Sequence, residues 1–230
     1  MRILALDTAT EACSVALLDD AEVRMRYEVL GRGHAERVLP MIDELLAEAG
    51  TSLGALDAIA FGRGPGAFTG VRIAVSVAQG LSLGTGLPLV PISDLRALAA
   101  AALAATRADH ALVCLDARMG EVYWGLGRPD PASGCALVAE GLAPPGNVPD
   151  LPPGSRPVAA GHGWTAYPLL EERFGPRLAA RWPLLLPDAA TIARLAVAEV
   201  RAGRTVTAAN AEPVYLRNDV ATRSSRAPGR

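Results

Sequence analysis

The sequence predicts an α/β fold made of two related halves, the second of them reduced. A buried strand that ends in an aspartate, followed by a tight turn and another strand, occurs at residues 2–18 and again at residues 111–126. The two aspartates, Asp7 and Asp116, lie 109 positions apart. Strand-like and helix-like segments also alternate along the chain. Half of the residues are apolar but only 4% are aromatic, so small aliphatic side chains must build most of the core.

The first half begins with strands that follow one another closely. Residues 2–6, 12–18 and 22–29 are each strand-like, and the short connections between them predict an antiparallel meander. The third segment alternates apolar and polar residues, which predicts a half-exposed strand. Apolar residues at helical spacing then predict a helix over residues 38–49, with Pro40 early enough for its missing amide to be tolerated.

A glycine-rich loop is the most distinctive part of the first half. The predicted elements around it are a buried strand at 56–61, the loop at 62–70, an uncharged helix at 71–83, a strand at 89–92, and an alanine-rich helix that ends at residue 106. Ser93 or Asp94 can cap the last of these helices. The first half is therefore expected to span residues 1–108.

The second half, expected at residues 109–217, repeats the opening pattern and then becomes irregular. Its predicted elements are strands at 111–115, 121–126 and 136–140 and helices at 165–174 and 191–201. Eight of the 18 prolines fall between residues 129 and 157, which predicts a loop-rich insertion there. Residues 218–230 are polar and are expected to form a flexible tail.

Composition excludes several kinds of chemistry. All 22 basic residues are arginine, so a Walker A lysine, a Schiff base and a Ser-Lys dyad are excluded. The net charge of −2 argues against a free-standing nucleic-acid binder held by bulk charge. The three cysteines and three histidines are far apart in sequence, which argues against a disulfide scaffold and against a helix-borne metal site.

One uncharged stretch, residues 73–93, is long enough to raise the question of a membrane span. Thr85, Gly86 and Pro88 interrupt it, so helix, turn and buried strand is the better interpretation. The amino terminus lacks the long apolar segment of a secretory signal. We therefore expect a cytoplasmic protein with no membrane association.

The glycine loop leads into a helix, and backbone amides at such a junction can bind an anion. This pattern makes a nucleotide or anion site one interpretation, and its residues would be Asp7, Thr8, Gly64, Gly66 and Thr69. The alternative is that the glycines only allow close packing of the backbone and that Thr69 is a helix cap.

Other polar residues near these elements carry two interpretations each. A carboxylate at a strand end, such as Asp7 or Asp116, can hold hydrated magnesium or can simply close a turn. His34 can orient a ligand or remain solvated. Arg63 and Arg72 flank the glycine loop and can meet phosphate or the carboxylates of a partner.

The helix over residues 71–83 is apolar on nearly all sides. Such a helix must be buried on more than one face, and a single sheet covers only one. The remaining face needs either another helix of this chain or another polypeptide. This pattern indicates an obligate partner, and burial within the chain is the alternative.

Four motifs in the sequence together resemble the bacterial TsaB family, also called YeaZ. They are residues 3–8 (ILALDT), 34–40 (HAERVLP), 62–73 (GRGPGAFTGVRI) and 116–123 (DARMGEVY). Residues 213–217 (PVYLR) resemble the closing motif of that family. The resemblance covers nearly the whole chain, and the glycine segment is its most specific part.

The resemblance implies an actin-like, Hsp70-like ATPase fold with two ribonuclease-H-like halves. It also implies a dimerising and activating subunit for the transfer of a threonylcarbamoyl group to N6 of adenosine in tRNAs that read codons beginning with A. In that family TsaB is a non-catalytic partner of TsaD, the ATPase TsaE joins them, and TsaB alone forms homodimers. The tRNA is contacted indirectly through the complex, no cofactor is required by this chain, and ATP or ADP at the interface remains open.

The residues agree with a non-catalytic role. TsaD holds its metal with a His-x-x-x-His motif, and the comparable stretch here, residues 92–98, has Asp94 and Leu98 instead. No catalytic or metal-binding residue is therefore assigned. The partner-binding face that the resemblance implies lies on the first two helices. Its residues are Val38, Leu39, Ile42, Leu45, Leu46, Phe68, Val71, Arg72, Val75 and Gln79.

Two further functions remain as alternatives to the subunit role. The first is a small ATPase or phosphotransferase of the same superfamily that uses Asp7 and the glycine loop. The second is a peptidase that acts on its partner, and the absence of an evident catalytic triad spacing ranks it last. For the subunit role, substitution of Val75 or Leu45 by glutamate is expected to abolish pairing.

Overall fold

The computed structural model describes residues 1–217 of the chain. The predicted tail at 218–230 lies outside these described residues. The first sheet contains β1 (Arg2–Asp7), β2 (Ala12–Asp19), β3 (Glu22–Val29), β4 (Ala58–Gly62) and β5 (Leu89–Ile92). The second contains β6 (Ala111–Asp116), β7 (Val122–Asp130), β8 (Gly134–Ala143), β9 (Val158–Ala160) and β10 (Ala180–Trp182). The helices are α1 (His34–Ala49), α2 (Phe68–Thr85), α3 (Asp94–Ala104), α4 (Gly163–Ala166), α5 (Pro168–Phe174) and α6 (Ala189–Arg201).

The two sheets have the same topology. Strand order is β3-β2-β1-β4-β5 in the first and β8-β7-β6-β9-β10 in the second. In each sheet the first three strands are antiparallel neighbours and the last two join in parallel. This repetition confirms the predicted fold class of two ribonuclease-H-like halves arranged as in actin-like proteins.

The second half is reduced at its crossovers. Helix α1 connects β3 to β4 in the first half, whereas residues 144–157, with one short 3₁₀ turn, connect β8 to β9. The long helix α2 precedes β5, but only the short α4 and α5 precede β10. The second half therefore lacks the two long outer helices that cover the first sheet.

The molecule is layered around a central core. Helix α3 packs on the second sheet and α6 packs on the first, so both helices fill the space between the sheets. Helices α1 and α2 cover the outer face of the first sheet, and α4 and α5 cover that of the second. Because α3 and α6 each pack on the sheet of the other half, they join the two sheets in one core.

Several predicted boundaries were wrong for identifiable reasons. Helix α1 begins at His34, so Pro40 lies in its interior and His34 is its first residue. Strand β7 continues through Pro129, and β8 pairs with it, so the loop-rich segment begins only at residue 144. The helix predicted at 165–174 is broken at Tyr167, because Pro168 occupies the first position of α5. Strands β9 and β10 have only three residues each, too few to show a periodic pattern.

Candidate functional site

The glycine loop packs directly on the turn that follows β1. A Cβ atom on Gly66 would lie 2.3 Å from the Ala9 carbonyl oxygen, and one on Gly70 would lie 2.0 Å from the Thr8 carbonyl oxygen. The Thr8 hydroxyl donates to the Gly70 carbonyl at 2.7 Å, and the Ala67 amide donates to the Ala9 carbonyl at 2.7 Å. Close backbone packing therefore explains the glycines, as the alternative interpretation held.

This packing closes most of the anticipated nucleotide site. Asp7 and Thr8 are completely buried, and Gly64 is buried too. Gly66 is half-buried and Thr69 is exposed. Thr8, Gly66 and Thr69 line a cleft between the two halves, whereas Asp7 and Gly64 do not. A nucleotide or anion site at Asp7, Thr8, Gly64, Gly66 and Thr69 therefore stays a prediction, and in this conformation the loop folds onto the turn that carries Asp7 and Thr8.

Beneath the loop, Asp7 and Asp94 form a buried pair of carboxyl groups that lie side by side at Gly62. A Cβ atom on Gly62 would lie 2.5 Å from an oxygen of Asp94 and 2.6 Å from an oxygen of Asp7. Both carboxyl groups therefore pack against the backbone of that glycine. The amides of Ala9 and Gly64 donate to Asp7 and Asp94, respectively.

Burial raises the pKa of Asp7 to about 6. Burial and the charge of Asp7 raise the pKa of Asp94 well above its usual range. The pair therefore keeps a proton to higher pH than two exposed carboxyl groups would. One oxygen of each carboxyl is buried without a hydrogen-bond partner in the described part of the chain.

A cleft of about 820 Å³ lies between the two halves. Its walls come from the turn after β1, the start of α1, the start of α2, and the turn after β6. Asp116 accepts hydrogen bonds from the Tyr167 hydroxyl at 2.8 Å and from the Arg118 amide at 2.8 Å, so it closes its turn. His162 accepts from the Asp116 amide at 3.0 Å, and burial lowers its pKa.

The residues expected on the partner-binding face fall into two groups. Six of them point into the core beneath α1 and α2 and are buried: Val38, Ile42, Leu45, Leu46, Val71 and Val75. Gln79 is half-buried, and its amide donates to the carbonyls of Ala208 and Ala211 within the chain. In the single chain these seven residues contact the core or neighbouring loops, so their direct contact with a partner stays a prediction.

The remaining three expected residues, Leu39, Phe68 and Arg72, are exposed. The outward side of α2 also shows residues that the sequence analysis did not single out. Ser76, Gly80 and Gly84 are exposed along it, and Ile73 and Val77 are half-buried between them. Apart from Arg72, no residue of α2 carries a charge. A shallow groove of about 350 Å³ runs between this side of α2 and Ala35 of α1.

An aromatic cluster stands at the beginning of α2. The Arg72 guanidinium lies 3.3 Å from the centre of the Phe68 ring and 5.2 Å from that of Tyr215. The two rings are 5.6 Å apart. The sequence analysis included the motif that contains Tyr215 but did not assign Tyr215 to the site, because it lies 147 positions after Phe68 in the sequence.

Arg63 and His34 have separate surroundings. Arg63 pairs with Glu140 of the second half at 3.7 Å, and His34 lines the cleft between the halves.

Within residues 1–217, no helix is long and apolar enough to span a bilayer. The same residues contain no group of three or more side chains that could hold a metal ion.

The sequence of the chain is similar to those of known proteins. Residues 27–140 match the model of the family TsaD, tRNA N6-adenosine threonylcarbamoyltransferase. The chain is 43% identical to the tRNA threonylcarbamoyladenosine biosynthesis protein TsaB of Escherichia coli, over 96% of both chains. It is 40% identical to the protein of that name from Haemophilus influenzae, over 100% of this chain and 98% of the other.

The fold of the chain is also similar to that of solved structures. The chain is similar to YeaZ from Pseudomonas aeruginosa, with a TM-score of 0.85 and 43% identity over 94% of this chain and 99% of that one. A second structure from the same organism, described as an uncharacterized protein with similarity to peptidase YEAZ, matches equally well.

Proposed function

This chain belongs to the TsaB family, and we propose that it acts in the biosynthesis of threonylcarbamoyladenosine in tRNA as a subunit without catalytic groups of its own. Relatives that cover nearly its full length carry that biosynthetic role in their names. The modified atom would be N6 of adenosine in tRNAs that read codons beginning with A. The chain would contact the tRNA indirectly, within a cytoplasmic complex.

The observation that carries this proposal is the outward side of α2. An 18-residue helix on the surface of a chain that is 20% charged has a single charged residue, Arg72, at its beginning. Small and apolar side chains occupy the rest of its exposed side. Uncharged surfaces of this kind occur where another polypeptide packs closely, because no desolvation of charge opposes association.

The closed glycine loop supports a role without catalysis. A carboxylate that activates water or holds magnesium must reach the substrate, but Asp7 is completely buried beneath the loop, beside Asp94. Asp116, its counterpart in the second half, is engaged by Tyr167 and Arg118. Asp7 is thus shielded from a ligand in this conformation, and Asp116, which lines the cleft, is already engaged in closing its own turn.

We assign the partner as a TsaD-family protein. Residues 27–140, which include α1 and α2, match the TsaD family model themselves. A partner with the same two helices could pack them against α1 and α2 in a four-helix interface related by an approximate twofold axis. The first half, residues 1–108, would then be the partner-binding half. The same side would pair two copies of this chain when it is alone, and the ATPase TsaE would join the complete complex.

A small ATPase or phosphotransferase is the second candidate, because the cleft between the halves is large enough for a ligand and Thr69 lines it. Nucleotide bound between this chain and its partner would also use this space. Calorimetric titration of the isolated chain with ATP, followed by a phosphate-release assay, distinguishes the two. Turnover by the chain alone would favour the enzyme, whereas binding without turnover would agree with the subunit.

Substitution Ser76→Glu tests the subunit role. Ser76 is exposed in the middle of α2, so glutamate there leaves the core intact but places an unpaired charge in the interface. We expect affinity for the TsaD-family protein of the same organism to fall at least about 100-fold, since burial of an unpaired charge costs several kcal/mol. Isothermal titration calorimetry measures the change.

The matched control is Ala104→Glu, which introduces the same charge at an exposed position near the end of α3. It should bind like the unsubstituted protein. Equal affinities for the Ser76→Glu and Ala104→Glu proteins would contradict the assigned face. Cleavage of the partner during prolonged mixing would instead revive the peptidase interpretation.

A further inference from the structure

The turn between β6 and β7 has an unusual backbone. Arg118, Met119 and Gly120 follow one another with φ angles of 62°, 57° and 79°, all in the left-handed region. Glycine adopts this region freely, but side chains of L-residues are crowded there. Arg118 and Met119 therefore occupy positions that glycine would fill with less strain, and such strain persists only when neighbouring contacts enforce the conformation.

Those contacts come from the turn itself and from Arg217 near the end of the described chain. Within the turn, the Ala117 amide donates to the Glu121 carbonyl at 3.0 Å, and the Glu121 amide donates to the Arg118 carbonyl at 3.1 Å. Arg217, far along the sequence, donates to the Ala117 carbonyl at 3.0 Å and pairs with Glu121 at 2.7 Å. The turn is thus held rigidly in its strained form.

The held turn presents Met119 to solvent. The residue is 82% exposed, one of the most exposed large apolar residues of the described chain. Methionine and arginine are enriched at protein interfaces, where the flexible thioether adapts to the surface of a partner. An apolar side chain on a strained, rigid turn is an arrangement that binding sites maintain at a cost in stability.

This turn is continuous with the aromatic cluster at the start of α2. Residues 213–217 connect the two, because Arg217 holds the turn while Tyr215 stacks near Phe68 and Arg72. The Val214 amide donates to the Arg63 carbonyl at 2.8 Å and fixes the segment on the glycine loop. Tyr215 is 41% exposed.

We infer that the partner-facing surface extends beyond α1 and α2, across Tyr215, to Met119 of the second half. Its occupant is a protein that presents a carboxylate to Arg72 and apolar side chains to Tyr215 and Met119. This inference rests on the proposed function, because it concerns the same partner. It assigns part of the recognition to the second half and to the segment that ends the described chain.

Charge favours a protein over the phosphate backbone of RNA. Arg118 pairs with Asp116 at 3.0 Å, and Arg217 pairs with Glu121. Of these three arginines, Arg72 alone forms no ion pair with a carboxylate among residues 1–217, and it stacks on Phe68 instead. A phosphate-binding surface would need several uncompensated cations, whereas one stacked guanidinium beside exposed aromatic and thioether groups fits a protein contact.

Substitution Met119→Gly tests the inference with the full-length chain. It relieves the backbone strain and removes the exposed side chain together with its contact to Arg217, so a loss of affinity without a loss of stability is expected. We expect about tenfold weaker binding to the TsaD-family protein, with a thermal midpoint that is unchanged or higher. The control is Leu184→Ser, which removes an equally exposed apolar side chain after β10 and should leave the affinity unchanged.

The Ser76→Glu protein, measured in the same titration, separates the two proposals. If Ser76→Glu abolishes binding but Met119→Gly leaves it unchanged, the extended surface is wrong and the helix face stands. If neither substitution lowers the affinity, both proposals are wrong. If Met119→Gly weakens binding to tRNA but not to the protein partner, the surface contacts nucleic acid and the inference is overturned.

Discussion

At the scale of single residues, the buried carboxyl pair of Asp7 and Asp94 makes the stability of the fold sensitive to pH. Both pKa values are raised in the folded chain, so over the interval above about pH 4 the folded state binds more protons than the unfolded state. Stability contributed by the protonated pair is therefore present at low pH and is lost as pH rises through about 6 and beyond.

Substitution Asp94→Asn should remove much of this dependence. Asparagine can accept from the Gly64 amide and donate to Asp7, so it reproduces the protonated form. The free energy of unfolding of the variant, relative to the unsubstituted protein, should rise by about 1.4 kcal/mol per pH unit while the pair titrates. Urea unfolding at pH 4, 6 and 8 measures this difference in unfolding free energy. Parallel pH profiles for the two proteins would refute the raised pKa values of the buried pair.

The glycine loop gives a second test at this scale. Because a Cβ on Gly70 would meet the Thr8 carbonyl oxygen at 2.0 Å, Gly70→Ala must displace the turn that carries Asp7. We expect a loss of at least about 2 kcal/mol in unfolding free energy. Gly80→Ala in the same helix meets no atom within 4 Å and should instead stabilise by about 0.5–1 kcal/mol. Equal effects would contradict the packing described.

Some of these residue contacts could be predicted and others could not. A glycine-rich loop before a helix is compatible with anion binding or with close backbone packing. Only the three-dimensional structure shows how closely these glycines approach the neighbouring turn. The pairing of Asp7 with Asp94 depends on two neighbouring parallel crossovers, which bring together residues that lie 87 positions apart. Local patterns in the sequence carry no information about that contact.

At the scale of elements, helix α1 shows how one periodic pattern serves two environments. Leu45 is completely buried against the sheet, whereas Leu39 is 47% exposed on the other side. Both fit helical spacing, and the sequence analysis assigned both to the partner face. The element itself was predictable from periodicity, but its orientation depends on the sheet that it covers.

Glutamate at these two positions should therefore have different consequences. Leu45→Glu buries a charge in the core beneath α1, and we expect a destabilisation of several kcal/mol that unfolds much of the chain. Leu39→Glu should keep the native circular dichroism spectrum and thermal midpoint within a few degrees. A folded Leu45→Glu protein that merely fails to pair would show that α1 presents its other side to the partner.

At the scale of the whole molecule, the repeated topology follows from the sequence more directly than the packing does. The recurrence of strand, aspartate, turn and strand predicted two related halves, and both sheets show the same strand order. The exchange of α3 and α6 between the sheets was not predictable, because either amphipathic helix could have covered its own sheet. That exchange ties the halves into one core and makes independent folding of either half unexpected.

The central claim is that this chain is a subunit whose outward helix surface pairs with a TsaD-family protein. Light-scattering mass after size exclusion tests it most directly, with the chain alone and mixed with that protein from the same organism. We predict that the isolated chain elutes as a homodimer and that mixing gives a new species with one copy of each chain. Two unshifted peaks with the masses of the separate proteins would contradict the account.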